Sequence, residues 1–297
     1  MMVERIGASR VNFVVWNYAF MTLLCVICLA PLWHVFMASL SNPRLLFASS
    51  GVIWRPLGTP TLQGYRLVFR NNFITTGYLN TLIYVGFTTV LGTCLTAVAG
   101  FVLSRPNLKL GTFFSMMIIL TMMLSGGLIP SYMINRSLGL VNNRLGVIIP
   151  GVTNGFFIMI MRSAFVQLPA SYEESAKLDG AGPVTILVRI LAPLVKATLA
   201  VVIMNIVVLQ WNSWFQASIY LARRRDLWPL QLFMREILVQ NDTNRVMTGS
   251  DAMNSANNVA HLVKYCVTII GTLPILAAYP FAQKYFVKGV TLGGIKG

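Results

Sequence analysis

The amino-acid sequence predicts an all-α polytopic membrane protein with six transmembrane helices. Hydrophobic residues make up 56% of the 297 residues, whereas charged residues make up only 10%. A soluble globular domain carries about 25% charged residues, so this composition excludes the ordinary soluble classes. Aspartate and glutamate are absent from every apolar segment that is long enough to span a bilayer.

Each predicted span is an apolar run close to or above the roughly 20 residues that a helix needs to cross a bilayer core. The spans are predicted at 14–38, 77–104, 111–129, 146–166, 197–221 and 259–282. The first should stay uncleaved, because its run is too long for a signal peptide and no small-residue cleavage site follows it. The chain is therefore predicted as a single transmembrane domain, 1–297, with both termini on the same side.

One polar run, Ser171–Pro183, interrupts the apolar pattern within the loop 167–196. Its acids and one lysine fall within two helical turns, which predicts a short helix. Gly180 and Pro183 are expected to end that helix. A charged helix between two spans must lie in water, and small residues such as Ala176 and Gly180 would let a partner approach closely. We interpret the run as a docking surface.

The sequence Glu174-Ser-Ala-Lys-Leu-Asp-Gly180, with Pro193 thirteen residues on, resembles the "EAA" loop of the membrane subunits of ABC importers. It is most similar to the sugar-importing branch typified by the smaller membrane subunit of the maltose importer. The resemblance implies a type I ABC importer transmembrane domain whose cytoplasmic coupling helix seats in an ATPase. Ser175 departs from the usual alanine. The coupling residues that it implies are Tyr172, Glu173, Glu174, Ala176, Asp179, Gly180 and Pro193.

The same resemblance implies a set of partners. These are a homologous membrane subunit, two copies of a cytoplasmic ATPase that binds ATP and magnesium, and a periplasmic or extracellular solute-binding protein. The outer loop 223–258 would reach into the cleft of that binding protein. The implied location is the bacterial cytoplasmic (inner) membrane, with both termini cytoplasmic.

The chain shows no energy source of its own. Carriers driven by ion gradients usually retain acids inside their spans, and none lies there; no G-x-x-x-x-G-K-[ST] loop is present either. His34 and His261 lack a nucleophile–carboxylate arrangement, and the Cys25–Cys28 pair lacks further metal ligands. We therefore predict no catalytic, cofactor or metal site in this chain.

The net charge of +15 indicates a membrane or an anionic ligand here rather than nucleic acid. With the polar run inside the cell, eleven basic residues fall on each side, so the positive-inside rule does not choose an orientation. The eleven outer arginines face only four acids. Such a field attracts an anionic ligand or an acidic partner, and contact with lipid headgroups explains it equally well.

Polar side chains inside the predicted spans are candidates for a substrate path. Amides beside indoles suit a sugar, which offers hydroxyl groups and a flat ring face. For any single amide, a hydrogen bond to a neighbouring helix is the plainer interpretation. The Trp211–Asn212 pair also resembles a pair common in the family. The candidates are Asn80, Tyr84, Asn154, Gln210, Trp211, Asn212 and Trp214.

The predicted function is therefore that of a permease subunit for oligosaccharide import. The resemblance points to the branch that imports uronic-acid saccharides such as alginate. Two alternatives stay open: an ABC importer permease for another small solute, and a stand-alone carrier or channel.

Overall fold

The computed structural model describes residues 8–239 and 253–293, and every regular element within these ranges is helical. The α-helices in chain order are α1 (Ala8–Ser39), α2 (Pro43–Ala48), α3 (Gln63–Arg70), α4 (Asn72–Leu103), α5 (Gly111–Met123), α6 (Leu128–Ser137), α7 (Leu145–Val152), α8 (Gly155–Val166), α9 (Ser171–Leu178), α10 (Pro183–Thr185), α11 (Ala192–Leu194), α12 (Lys196–Trp211), α13 (Phe215–Tyr220), α14 (Leu230–Val239) and α15 (Met253–Gly293). A π-helix (Ile186–Leu191) joins α10 to α11, and a 3-10 turn (Arg225–Leu227) precedes α14.

Within the described ranges, four stretches are long and apolar enough to cross a membrane. Two bent pairs raise this number to six if each pair is one span: α5 with α6, bent by 115°, and Pro183–Leu194 with α12, bent by 91°. The predicted all-α, multi-pass membrane fold is confirmed. The four stretches are Arg10–Ser39, Asn72–Leu103, Leu145–Val166 and Val259–Pro280.

Three expected spans are interrupted in the structure. The span expected at 111–129 leaves its helix at Leu124, and Gly127 has a left-handed φ of 82° that a continuing helix does not allow. The span expected at 146–166 breaks at Thr153, whose backbone is extended, so that α8 starts afresh. The span expected at 197–221 ends its long helix at Trp211.

The expected outer loop 223–258 is also partly helical, because α14 and the start of α15 fall inside it. Its residues 240–252 lie outside the described part of the chain.

The chain forms two compact units. The first comprises Met1–Asn71 and Ile237–Gly271. There the Ser39 hydroxyl bonds the Tyr65 hydroxyl at 2.8 Å, and His34 Nδ1 accepts the Ile53 N–H at 2.9 Å. His34 is therefore a hydrogen-bond acceptor for the backbone of this unit.

The second unit comprises Asn72–Glu236 and Thr272–Gly297, and α4 is its central helix. Helices α7, α8 and α12 all pack against α4. One face of α4 is buried and carries small or short polar residues. Small residues let helix backbones approach closely, which is how helices associate where lipid removes the hydrophobic driving force. The small and short polar residues of this face are Gly77, Thr81, Thr88, Gly92, Thr96 and Gly100.

Two glycines of this face permit the closest approaches. A Cβ on Gly92 would lie 3.0 Å from the Val152 carbonyl oxygen. A Cβ on Gly100 would lie 2.7 Å from Met161 Cβ and 3.0 Å from the Arg162 backbone nitrogen. Since backbone atoms cannot move aside as a flexible side chain can, the positions of α7 and α8 depend on the absence of these two methyl groups.

We expect Gly100→Ala to destabilise the solubilised chain by about 1–3 kcal/mol, the usual cost of overpacking. Gly86→Ala is the matched control, because Gly86 lies on the same helix and its Cβ would meet nothing within 4 Å. The thermal unfolding midpoint in detergent measures both variants. Equal midpoints would show that α4 and α8 are not in close contact.

Candidate functional site

Helix α9 occupies the polar run and is a short helix whose C-terminus is capped. Glu173 and Glu174 lie in its first turn and Lys177 in its last, so the charges complement the helix dipole. At the C-terminus the Ala181 N–H donates to the Ala176 carbonyl (2.9 Å) and the Gly180 N–H to the Lys177 carbonyl (3.0 Å). This pair of bonds is a Schellman motif, and Gly180 has the left-handed φ of 80° that it requires. Gly180 ends the helix as predicted.

The two faces of α9 have different environments. Tyr172, Glu174 and Asp179 are exposed, and so is Pro193 in α11. Ala176, by contrast, is only 5% exposed and belongs to a buried cluster with α4, α8 and α12 residues. The expectation that Ala176 offers a partner a small-residue surface is therefore wrong for this structure, because its methyl group fills the chain's own core.

Glu173 also differs from the neighbouring Glu174. Its carboxylate forms ion pairs with Arg105 and with Lys177, the second at 2.9 Å, and its side chain is 14% exposed. The sequence assigned both glutamates to the same docking role. In the structure Glu173 points toward its own chain, whereas Glu174 is exposed to solvent.

The π-helix Ile186–Leu191 leads from α9 toward α12. Ile186, Leu187 and Leu191 are buried in the same cluster as Ala176. After α11 the chain bends by 91° into α12 at Val195. A π-helix is rare and often marks a functional position, so α9 connects to a long span through an irregular, well-packed joint.

A second site lies at the opposite end of α4, where Asn80, Thr81 and Tyr84 hold the chain at 226–230. Asn80 Nδ2 donates to the Asp226 carbonyl (2.8 Å) and the Trp228 carbonyl (3.1 Å), and the Tyr84 hydroxyl donates to the Leu227 carbonyl (2.6 Å). The Leu230 N–H donates to Thr81 Oγ1 at 2.8 Å.

These bonds use the polar atoms that a sugar would need. Asn80 Oδ1 accepts from Arg144 Nη2 at 3.1 Å, and Asn80 and Tyr84 are 2% and 1% exposed. In this structure both residues anchor the backbone of the 226–230 segment rather than line a path. Sequence patterns could not show this, because the accepting carbonyls lie more than 140 residues away.

The anchored segment also carries an exposed ion pair. Arg224 donates two hydrogen bonds to Asp226, at 2.9 and 2.8 Å. These bonds lower the pKa of the Asp226 carboxyl below its usual value. Since the folded-state pKa is lowered, the pair contributes to folding stability at neutral pH. This contribution is lost as the pH falls through the lowered pKa.

The break between α7 and α8 opens a cavity of about 170 Å³. Asn154 caps α8 there by accepting the Phe156 N–H at 2.9 Å. Gln210 reaches the cavity from α12, so the structure brings together two of the predicted path residues. Three further polar residues, which are not among the predicted path residues, line the cavity: Thr153, Ser213 and Gln216.

The other three candidates lie outside this cavity wall. Trp211 is 4% exposed and meets the Tyr78 ring edge-on at 5.6 Å. Asn212 is exposed and bonds its own helix at the Val208 carbonyl. The Trp214 ring lies 3.9 Å below the guanidinium of Arg235.

Comparison with known proteins finds similar sequences and a similar solved structure. No family model matches the chain. The chain is 32% identical over 289 residues to the polygalacturonan/rhamnogalacturonan transport system permease protein YtcP of Bacillus subtilis (strain 168), covering 94% of this chain and 96% of that protein. It is 34% identical over 294 residues to Protein LplC of the same organism, covering 98% and 96%.

A solved structure is also similar over nearly the whole chain. It is a crystal structure of a bacterial ABC transporter involved in the import of the acidic polysaccharide alginate. The match has a TM-score of 0.83 and 26% sequence identity, and it covers 94% of this chain and 98% of that chain.

We expect Asn80→Leu to destabilise the chain by about 1–3 kcal/mol, because it leaves two part-buried carbonyls and Arg144 without the amide that they bond. Asn205→Leu is the control, since exposed Asn205 bonds its own helix at the Val201 carbonyl; its effect should stay within about 0.5 kcal/mol. Thermal unfolding in detergent measures both. An unchanged midpoint for Asn80→Leu would contradict the anchoring role.

Proposed function

Because this chain belongs to the family of sugar-transport permease proteins of ABC transporters, we propose that it forms one of two membrane subunits of an ATP-driven oligosaccharide importer. It has no catalytic site of its own. A cytoplasmic ATPase, present in two copies, binds the ATP and magnesium. A homologous membrane subunit completes the path, and an external solute-binding protein delivers the sugar. The complex lies in the bacterial cytoplasmic membrane, with both termini of this chain inside.

The observation that carries this proposal is the two-faced environment of α9. Its exposed face offers Tyr172, Glu174 and Asp179 to a partner. Its buried face places Ala176 in one cluster with residues of the π-helix, α4, α8 and α12. A force applied to the exposed face would therefore reach three membrane helices through this packed cluster, because packed interiors resist compression and transmit strain. This is the arrangement that a separate motor needs.

The substrate path proposed for this chain runs past the cavity at the α7–α8 break. Asn154 and Gln210 offer amides there, and Ser213 and Gln216 extend the polar wall. The cavity of about 170 Å³ is smaller than the roughly 300–1,000 Å³ typical of small-molecule sites. We propose that this chain supplies one wall of the path and that the partner membrane subunit supplies the other.

The proposed substrate is an acidic oligosaccharide built from uronic acids. YtcP is named for polygalacturonan and rhamnogalacturonan, and the similar transporter structure for alginate; these polymers carry carboxylates. Several arginines on the proposed outer side of this chain are exposed, and arginine's planar fork suits carboxylates. These include Arg136, Arg144, Arg223 and Arg235.

We expect the reconstituted complex to take up a uronate oligosaccharide faster than a neutral one of equal length. Raising the salt concentration should reduce this preference, because screening weakens the attraction of the arginines. Uptake of radiolabelled sugars into proteoliposomes measures both effects. Preference for the neutral sugar would exclude the acidic substrate while leaving the importer function intact, and uptake of neither sugar would favour an importer for another small solute.

We expect Glu174→Lys to abolish both sugar uptake and transport-coupled ATP hydrolysis, because it reverses a charge on the proposed docking face. Gly180→Leu should have the same effect, since a side chain at its φ of 80° is strained. Gly182→Leu is the matched control, because Gly182 has an ordinary φ of −74° and open space around it.

Membrane insertion of each variant is checked by its amount in purified membranes, and association by co-purification of the wild-type complex with its ATPase. Full uptake by both Glu174→Lys and Gly180→Leu would rule out coupling through α9. A wild-type chain that transports without any ATPase would instead be a stand-alone carrier.

A further inference from the structure

We propose that the ion pair between Arg105 and Glu173 is the tie that makes the docking helix α9 and the central helix α4 move together, with Arg105 as a positioning residue. This inference rests on the proposed function. It assigns the two adjacent glutamates of α9 to different tasks: Glu174 faces the partner, and Glu173 holds the helix to its own chain.

Arg105 lies two residues beyond the C-terminus of α4 and is fixed there by several contacts. Its Nε donates to the Phe101 carbonyl (3.3 Å), and its Nη2 donates to Ser104 Oγ (2.9 Å). Its guanidinium also lies over the Phe101 ring, 4.6 Å from the centroid. A cation at this place complements the negative end of the α4 dipole. Arg105 is therefore already oriented before it meets Glu173.

Glu173 completes the contact from the α9 side. Its carboxylate pairs with Arg105 and, at 2.9 Å, with Lys177 one turn later on α9. Glu173 is 14% exposed and Arg105 is 24% exposed. Such a partly buried pair is less screened by water and salt than one on the open surface. The pair is thus suited to hold two elements together.

The partial burial of Arg105 favours an ion pair with Glu173. This burial lowers the pKa of the Arg105 guanidinium below its usual value, although arginine stays charged in proteins. A partly buried charge without a counter-ion is costly. Removing Glu173 would therefore be expected to displace Arg105 as well as free α9.

The end of α4 is joined to α8 in the same region. Arg162 of α8 donates from Nε to the Leu103 carbonyl at 3.1 Å. The Phe101 ring meets the Phe165 ring edge-on at 6.1 Å. The ion pair thus connects α9 to a place where α4 and α8 are already in contact, so that movement of α9 is transmitted to both helices.

The pair also borders a depression of about 660 Å³, which is lined by residues within 101–108 and 165–177. Phe101, Arg105, Glu173 and Lys177 all contribute to its wall. Since both side chains are partly exposed, the pair can be probed by charge reversal without forcing a new charge into a fully buried core.

The test uses the assembled complex in proteoliposomes and measures sugar taken up per ATP hydrolysed. Arg105→Glu and Glu173→Arg should each lower this ratio by about tenfold, while ATP hydrolysis continues, because α9 still docks through Glu174. The double variant Arg105→Glu/Glu173→Arg restores the opposite charges and should recover the ratio to within about threefold, as expected for directly coupled sites. Arg105→Lys should keep most of it.

Lys109→Glu is the matched control, because it reverses an exposed charge in the same loop and should leave the ratio unchanged. Thermal unfolding of each complex separates loss of coupling from loss of folding. If a single variant does not accumulate, the double variant and Arg105→Lys still decide the question.

Two results would overturn the inference: single variants with a wild-type ratio, or a double variant that is no better than the singles. If the wild-type complex takes up no oligosaccharide at all, the proposed function fails instead. The two failures are therefore distinguishable.

Discussion

Gly92 and Gly100 bring the α4 backbone against that of α7 and α8, at distances that leave no room for a side chain. In lipid this contact has no hydrophobic driving force, so its stability depends on the number of close atomic contacts. The second unit is arranged around this face: α12 packs beside α8 on the same helix, and the cluster that holds Ala176 forms beneath them. The position of α9 therefore depends on the small-residue face of α4.

The same helix α4 organises both of its ends by different chemistry. At one end Asn80, Thr81 and Tyr84 bind three backbone carbonyls and one N–H of the 226–230 segment. At the other end Arg105 and Arg162 occupy carbonyls near its C-terminus. Buried polar groups must find partners, and except for Arg105 the partners here belong to segments distant in sequence. A single long helix thus links the 226–230 segment to the region that packs against α9.

Local patterns in the sequence were sufficient for several elements. Gly180 marked the end of α9 because a Schellman motif needs a left-handed residue there. The length of the apolar runs indicated the membrane fold, but it did not indicate the breaks within three of the expected spans. The break at Thr153 had a local signal, since Pro150 and the capping residue Asn154 lie beside it, but an apolar run of sufficient length conceals such interruptions.

The roles of individual polar residues could not be obtained from local patterns. Asn80 and Gln210 have the same amide group and lie in similar apolar surroundings. Only the tertiary structure separates them, because it gives one of them carbonyl partners and leaves the other at a cavity. Likewise Glu173 and Glu174 are adjacent, and their difference depends on a partner 68 residues away.

The π-helix Ile186–Leu191 has a consequence for how this region tolerates change. Its hydrogen bonds skip one residue more than those of an α-helix, as in the Ala192 N–H to Leu187 carbonyl bond. Losing one residue there would rotate everything on one side by about 100°, since an α-helix completes a turn in 3.6 residues. Side chains in this segment can be exchanged for others of similar volume, but the number of residues sets the orientation of α9 relative to α12. Chain length, rather than residue identity, is the constrained quantity between these two helices.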